Sequence, residues 1–125
     1  MKLYESGEDY LEAILRLSRT GASVRSVDVA AELGVSKPSV SVAMKHLRAG
    51  GFVVTEGDGS LCLTPEGLAI AERVWERHSV LTALFTHLGV SAEVARADAC
   101  KIEHDLSEET FEKIKAWVNS LPHRN

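Results

Sequence analysis

A thiol, a carboxylate and an imidazole occur within five residues of this chain. They are Cys100, Glu103 and His104, and their i, i+3, i+4 spacing places them on one face of a predicted helix. Their S, O and N donor atoms suit a divalent transition metal ion such as Fe(II), Mn(II), Co(II) or Zn(II), whereas Ca(II) and Mg(II) prefer oxygen alone. Taken singly, each residue also has a structural role open to it, for example Cys100 as a small core residue.

Three further residues could supply ligands to the same ion. Asp9 and Glu12 are three residues apart near the start of the first predicted helix, and His78 lies in a long predicted helix. Each could instead be a helix cap, a solvated acid or a buried histidine. Residues 98–113 nevertheless hold six acids and two lysines, a net charge of −4 that equals the net charge of the whole chain. A bound cation would compensate this local charge.

A second group of residues is suited to contact with DNA. A short predicted helix, the turn Gly34-Val35-Ser36 and a helix ending at Gly50 form a helix-turn-helix. Two β-rich runs around a Gly-Asp-Gly turn follow as a hairpin, which would make the motif winged. The outer face of the second helix presents Ser36, Lys37, Pro38, Ser39, Ser41, Val42 and Lys45.

This outer face has the chemistry of a DNA-contacting surface. Serine hydroxyls and helix N-terminal amides suit phosphate oxygens, and lysines add salt-sensitive attraction. Val42 could contact a thymine methyl group. Because few of these side chains can make bidentate contacts with bases, we expect DNA shape and backbone contacts to carry much of the specificity. Winged helices also serve as protein-interaction modules, so that alternative stays open.

The remaining pattern is mainly helical. The apolar spacing and capping residues predict helices over 6–19, 26–33, 36–49, 65–88, 92–105 and 108–121, with Ser6, Ser26, Thr64, Ser91 and Ser107 as N-caps. The apolar residues of the long helix cover more than one stripe, which predicts that it packs against a second subunit. A symmetric dimer would present two DNA-reading helices about 34 Å apart or a multiple of that distance.

Composition excludes several classes of protein. The chain has 125 residues, 45% hydrophobic and 26% charged, with 3 Pro and 9 Gly, which is typical of one compact domain or two small ones. No apolar run approaches the roughly 20 residues that span a bilayer, and we expect neither a secretory signal nor a membrane partner. Cys62 and Cys100 do not suggest a disulfide framework. The expected location is the cytoplasm, with reduced thiols.

Five segments in order resemble one family. The segments Glu8-Asp9-Tyr10-Leu11-Glu12, Val35–Ser41, Leu63–Gly67, Arg77-His78 and Cys100-x-x-Glu103-His104 resemble the diphtheria-toxin-repressor family, which includes manganese transport regulators. The resemblance runs from about residue 5 to 120. It implies a winged helix-turn-helix DNA-binding domain over 1–65 and a helical metal-binding and dimerisation domain over 66–125.

The resemblance also implies which residues bind metal. Asp9, Cys100, Glu103 and His104 would form the principal site, and Glu12 and His78 would form a neighbouring site together with Glu103. Asp9 matches the manganese branch, whereas the iron branch has methionine at this position. Cys100 matches the iron branch, whereas the manganese branch has a glutamate here that can bridge two metal ions. The chain is therefore a hybrid of the two branches, and we expect a short form without the SH3-like domain of the iron branch.

These observations predict a metal-dependent transcriptional repressor of metal-homeostasis genes, with Fe(II) or Mn(II) as corepressor and Co(II) or Zn(II) as possible substitutes. Its partners would be double-stranded operator DNA and a second copy of the chain, with no small-molecule substrate. An enzyme is not expected, because no Gly-rich phosphate loop, oxyanion device or His-Glu-x-x-His signature is present. The alternatives are a winged-helix regulator that senses an organic ligand or thiol oxidation, and a pure dimerisation adaptor.

Overall fold

The computed structural model describes residues 5–122, and within them the chain folds into helices and one small sheet. The elements in chain order are α1 (Glu5–Ser18), α2 (Ser26–Leu33), α3 (Lys37–Ala49), β1 (Val53–Thr55), β2 (Leu61–Leu63), α4 (Pro65–His87), α5 (Ala92–Ile102) and α6 (Glu108–Asn119). The mainly α fold class is confirmed. No helix among residues 5–122 is long and apolar enough to cross a membrane.

The chain divides into two compact units, and the division falls inside α4. The N-terminal unit extends to Arg73 and the C-terminal unit begins at Val74. The sequence predicts domains over 1–65 and 66–125, and the outer ends of both, residues 1–4 and 123–125, lie outside the described residues.

The N-terminal unit is a winged helix-turn-helix. Helix α2 packs against both α1 and α3, and the strands β1 and β2 pair antiparallel with Val54 opposite Cys62. The backbone N–H of Leu61 donates to the carbonyl of Val24 at 2.7 Å, which ties the wing to the segment before α2. The apolar side chains that form the core of this unit include Leu11, Ile14, Leu15, Val24, Val29, Val40, Met44, Leu47, Val53 and Leu61.

Local capping starts four of the helices where the sequence predicts. Side-chain oxygens of Ser36, Ser91 and Ser107 accept hydrogen bonds from backbone N–H groups three residues later, at 3.2, 3.4 and 3.1 Å. Thr64 does the same for the start of α4, where Gly67 N–H lies 3.1 Å from its hydroxyl. These bonds satisfy N–H groups that have no partner within the helix.

Three predicted helix ends are wrong. Ser6 lies inside α1 rather than before it. The cap of α2 is Arg25, whose extended backbone donates its N–H to the Asp28 carboxylate at 2.9 Å, so Ser26 is the first helical residue. Helix α5 ends at Ile102, three residues early, and Glu103 is its C-cap.

The C-terminal unit consists of the rest of α4 with α5 and α6. Its buried apolar residues include Val74, Leu81, Ala95, Ala99 and Phe111. A short turn joins α5 to α6 and contains Glu103 and His104, two of the predicted metal ligands. Because Glu103 keeps a helical backbone (φ −59°, ψ −26°), its N–H still donates to the carbonyl of Ala99 at 3.0 Å. Although α5 ends early, the backbone of Glu103 therefore continues in nearly the direction that it would have in a longer helix.

Candidate metal centre and nucleic-acid interface

The outer face of α3 is open to solvent. The residues predicted to contact DNA are all exposed: Ser36, Lys37, Pro38, Ser39, Ser41, Val42 and Lys45. Val42, the one large apolar side chain among them, is 57% exposed. The opposite face of the helix is held in the core by Val40, Met44 and Leu47. The face therefore presents hydroxyls, ammonium groups and one apolar contact from a fixed platform.

The turn before α3 sets the orientation of that face. Gly34 ends α2 with a left-handed backbone (φ 66°), a conformation that residues with a side chain rarely adopt. The hydroxyl of Ser36 caps the helix and also lies 2.8 Å from the hydroxyl of Ser39. The two serines thus rigidify the helix N-terminus, where amide N–H groups and the helix dipole favour an anion such as phosphate.

Two arginines near the wing were not among the predicted DNA contacts. The Arg48 guanidinium donates to the Thr55 hydroxyl on β1 at 3.1 Å. The Arg25 guanidinium lies against Gly59 in the turn of the wing, 2.8 Å from where a Cβ atom would stand. Both arginines are exposed. Arg48 lies in the last turn of α3 and Arg25 is the N-cap of α2. Their contacts with the wing could not be predicted, because only the folded hairpin brings the wing to these side chains.

The wing contains two groups whose pKa values are shifted, Asp58 in its turn and Cys62 on β2. The Asp58 carboxylate accepts hydrogen bonds from the Ser60 hydroxyl at 2.7 Å and from the Ser60 backbone N–H at 3.0 Å. These bonds lower the pKa of Asp58 below its ordinary value, and the bond from the Ser60 hydroxyl has the larger effect. Burial raises the pKa of the Cys62 thiol on β2, and the neighbouring Glu56 adds to the effect. Cys62 is thus mostly a neutral thiol at physiological pH.

The C-terminal unit brings three of the six predicted metal ligands together. The side chain of Glu103 is 1% exposed, and its two oxygens face two imidazoles. His78 Nδ1 lies 2.9 Å from Oε2, and His104 Nε2 lies 3.4 Å from Oε1. His104 is itself almost buried, with 4% of its side chain exposed. A carboxylate is thus held between two imidazoles, away from water.

The donor set of this cluster fits a divalent transition metal. Imidazole nitrogens and a carboxylate are ligands for Mn, Fe, Co and Zn. The contact between Glu103 and His78 is a hydrogen bond when Nδ1 carries a proton, whereas a deprotonated Nδ1 can direct its lone pair at a cation. Removing a carboxylate from water costs free energy unless a positive charge lies nearby, and a cation would supply that charge.

Cys100 lies in the last turn of α5, three residues before Glu103, and it is exposed. The three predicted ligands Cys100, Glu103 and His104 do not share one regular helix, because the helix ends between the first and the second. Their spacing of three and four residues therefore spans a helix end. Whether Cys100 acts as a ligand stays a prediction.

Asp9 and Glu12 lie on α1, in the N-terminal unit. Asp9 is half-buried and Glu12 is buried. The Glu12 carboxylate lies 2.9 Å from Arg16 Nε, one helical turn later, and Arg16 also reaches the Glu32 carboxylate of α2 at 3.3 Å. The charge of Glu12 is therefore already partly neutralised by an arginine. That Asp9 and Glu12 bind metal stays a prediction of the resemblance.

Arg77 lies beside the cluster around Glu103 and was missed as a separate feature. It is 8% exposed, and its Nη1 donates to the backbone carbonyls of Glu103 at 3.1 Å and Leu106 at 2.7 Å. A signal for it was available in the sequence, since Arg77 follows Val74 and precedes Leu81 on the apolar stripe of α4. A charged residue on such a stripe indicates a buried polar interaction.

Two family models match consecutive parts of the chain. Residues 2–61 match the N-terminal DNA-binding domain of iron-dependent repressors. Residues 64–124 match the metal-binding and dimerisation domain of iron-dependent repressors.

Individual relatives agree with these matches. The chain is 40% identical over 111 residues to the transcriptional regulator MntR of Salmonella typhimurium, covering 89% of this chain and 71% of the relative. The structure of the manganese regulator SloR superposes with a TM-score of 0.82 at 26% identity over 97% of this chain. A manganese-dependent transcriptional repressor in complex with manganese gives 0.83 at 25% identity over 90%. The chain spans only 56% and 52% of the lengths of these two structures.

Proposed function

The chain belongs to the iron-dependent repressor family of metal-dependent transcriptional regulators, and on that premise we propose that it is a DNA-binding repressor activated by a divalent transition metal ion. The observation that carries the proposal is the buried carboxylate of Glu103 between the imidazoles of His78 and His104. This cluster lies in the segment that matches the metal-binding domain of the family.

The proposed ligand set extends beyond these three residues. We assign Asp9 and Cys100 to the principal site with Glu103 and His104, and Glu12 and His78 to a neighbouring site that uses Glu103. The ion is Fe(II) or Mn(II), and Co(II) or Zn(II) can substitute because nitrogen, oxygen and sulfur donors accept all four. When bound, the ion supplies positive charge that cancels the repulsion between the clustered carboxylates.

The proposed DNA contacts are the N-cap Ser36 and six exposed residues of α3, namely Lys37, Pro38, Ser39, Ser41, Val42 and Lys45. Ser36, Ser39 and the N-terminal amides of the helix suit phosphate oxygens, and Lys37 and Lys45 add charge attraction. Val42 is exposed and suits contact with a thymine methyl group. A homodimer would present two such helices to double-stranded operator DNA, in keeping with the dimerisation domain of the family.

The proposed mechanism is that the bound metal ion orders the DNA-reading unit. Asp9 and Glu12 belong to α1, which packs against α2 of the helix-turn-helix. If these acids share an ion with residues of the C-terminal unit, metal binding orders the DNA-reading unit in advance. The unit then loses less conformational entropy when it binds DNA. The repressor then binds its operator when the ion is plentiful and releases it when the ion is scarce.

An alternative function is that of a regulator that senses thiol oxidation or an organic ligand. The raised pKa of Cys62 argues against an oxidation sensor at that thiol, because thiolates are the reactive form. The relatives MntR and SloR are regulators, and we propose no catalytic role for this chain.

The experiment that tests the proposal is a gel shift with one ion restored at a time. The full chain is stripped with a chelator, and a preferred duplex is selected from random-sequence DNA in the presence of Mn(II). We expect this duplex to shift with Mn(II) or anaerobic Fe(II), and the shift to disappear on renewed chelation. Equal DNA affinity with and without chelator contradicts the proposal. A shift that responds to peroxide but not to chelator favours the oxidation sensor, and a Cys62→Ser variant then identifies the thiol.

A further inference from the structure

Arg77 is the buried arginine that connects α4 to the turn between α5 and α6. Its Nη1 donates to two backbone carbonyls, those of Glu103 and Leu106, which stand at either end of the turn. Its Nη2 lies 3.5 Å from the carboxylate of Glu108, and its guanidinium carbon lies 5.0 Å from the centre of the Phe111 ring. One planar group thus holds the end of α5, the turn and the start of α6.

The turn needs such a partner because it follows a helix end. The last carbonyls of an α-helix have no hydrogen-bond donor within the helix, and short turns have few donors of their own. Among the described contacts of this turn, Glu103 N–H bonds to Ala99 and Asp105 N–H bonds to Ile102, and both of these bonds are local. The two carbonyl contacts of Arg77 come from residues 26 and 29 positions away in the chain.

We propose that Arg77 is a positioning residue for the metal centre. It holds the backbone that presents the Glu103 carboxylate and the His104 imidazole, so that both are ordered before the ion arrives. The proposal rests on the proposed metal-dependent function. Ligands that are held in place lose little conformational freedom on binding, and residues that orient them therefore strengthen metal affinity without touching the ion.

The direction in which metal affinity changes when Arg77 is replaced distinguishes a positioning role from a purely electrostatic one. A positive charge near a cation site repels the cation, so removal of the Arg77 charge alone would tighten metal binding. Loss of the two carbonyl contacts would instead leave the turn free to move and weaken metal binding. The two accounts thus predict opposite changes in one measured quantity.

The test compares Arg77→Met with Arg96→Met in the full chain. Methionine keeps an apolar chain beside Phe111 and removes the donors and the charge. Arg96 is an exposed arginine on α5 in the same unit, so its variant removes one charge without the carbonyl contacts. Each metal-stripped protein is titrated with Co(II), and the visible absorption spectrum reports both affinity and coordination. We expect Arg77→Met to bind Co(II) about 10- to 100-fold more weakly, with an altered spectrum, and Arg96→Met to bind as the parent chain does.

A second pair of variants removes the contacts of Arg77 in part. Arg77→Lys keeps the charge but cannot reproduce the planar fork, so its Co(II) affinity should fall between those of the parent chain and Arg77→Met. Glu108→Gln removes only the ion pair with a largely exposed acid and should leave the affinity unchanged.

The outcomes separate failure of this proposal from failure of the proposed function. If the parent chain shows no Co(II) spectrum, the metal-dependent function fails. If the parent binds Co(II) and a folded Arg77→Met binds it equally well or more tightly, the positioning role is overturned. If Arg77→Met does not fold, Arg77→Lys decides: an affinity and spectrum equal to those of the parent overturn the role. Hydrogen exchange in the metal-free parent is a further check, since fast exchange at the amides of Glu103 and Asp105 contradicts a turn ordered in advance.

Discussion

At the scale of single residues, the chemistry of the cluster is concentrated in Glu103. Its carboxylate is the most deeply buried acid among the described residues, and both of its oxygens face an imidazole. A buried carboxylate is costly unless it is compensated. His78 and His104 can each donate only one N–H when neutral, whereas a divalent ion supplies a full compensating charge. Under the proposed function, Glu103 is therefore the residue at which metal binding and protein stability are most directly connected.

Replacement of Glu103 tests that connection. Glu103→Gln keeps the size of the side chain and removes its charge, so we expect the metal response of DNA binding to be lost while the dimer persists. The measurements are gel shifts with and without Mn(II) and sedimentation of the metal-free protein. Glu112→Gln is a matched control, because Glu112 is an exposed acid on α6 of the same unit. A Glu103→Gln protein that still responds to Mn(II) would exclude this residue from the site.

At the scale of elements, the wing and the start of α4 are held together by a very close approach. A Cβ atom on Gly67 would lie 2.1 Å from the backbone carbonyl oxygen of Phe52. The hydroxyl of Thr64 also donates to the Gly51 carbonyl at 2.6 Å, and Thr64 N–H donates to the Phe52 carbonyl at 3.0 Å. The first turn of α4 therefore packs directly on the backbone that leads into β1, and only glycine fits at position 67.

The substitution Gly67→Ala has an expected sign opposite to helix propensity. In a helix without close neighbours, alanine is favoured over glycine by about 1 kcal/mol. Here the methyl group meets backbone that cannot move aside cheaply, so we expect a loss of roughly 1–3 kcal/mol in the free energy of unfolding, measured in urea. Gly57→Ala is the control, because a Cβ there has no neighbour within 4 Å and we expect a change within about 0.5 kcal/mol. A Gly67→Ala protein as stable as the parent would show that the packing relaxes.

At the scale of the whole molecule, DNA reading and metal binding belong to different segments of the chain. Residues 2–61 match a DNA-binding domain, and residues 64–124 match a metal-binding and dimerisation domain. The α3 face and the Glu103 cluster fall in the N-terminal and C-terminal units respectively. A metal-dependent repressor therefore requires a free-energy coupling between two segments, and such coupling is reciprocal by thermodynamic necessity.

Reciprocity gives a prediction for the intact chain. Mn(II) should raise the affinity for the selected duplex by about 5- to 150-fold, the usual range of such coupling, and the duplex should raise Mn(II) affinity by the same factor. Fluorescence anisotropy of labelled DNA measures the first factor, and competition with a metal indicator measures the second. If the duplex leaves Mn(II) affinity unchanged, the ion does not act as a corepressor.

Much of the fold follows from short-range patterns in the sequence. The N-caps Thr64, Ser91 and Ser107 are correctly predicted, because a capping oxygen and the backbone N–H that it accepts are only three residues apart. The winged helix-turn-helix is predicted for the same reason, since its turn and hairpin signals are local. The cap of α2 is wrong by one residue because Arg25 adopts the extended backbone that Ser26 was expected to have.

The sequence by itself determined the elements, the family resemblance and the types of donor atom that the C-terminal segment offers. Only the tertiary structure decided that His78 meets Glu103, that α5 ends before Glu103, and that Arg77 holds the turn between them. The physical reason is distance along the chain. A cap or an apolar stripe depends on neighbours a few residues away, whereas these contacts join residues 25 or more positions apart, and only the packing of α4 against the turn brings them together.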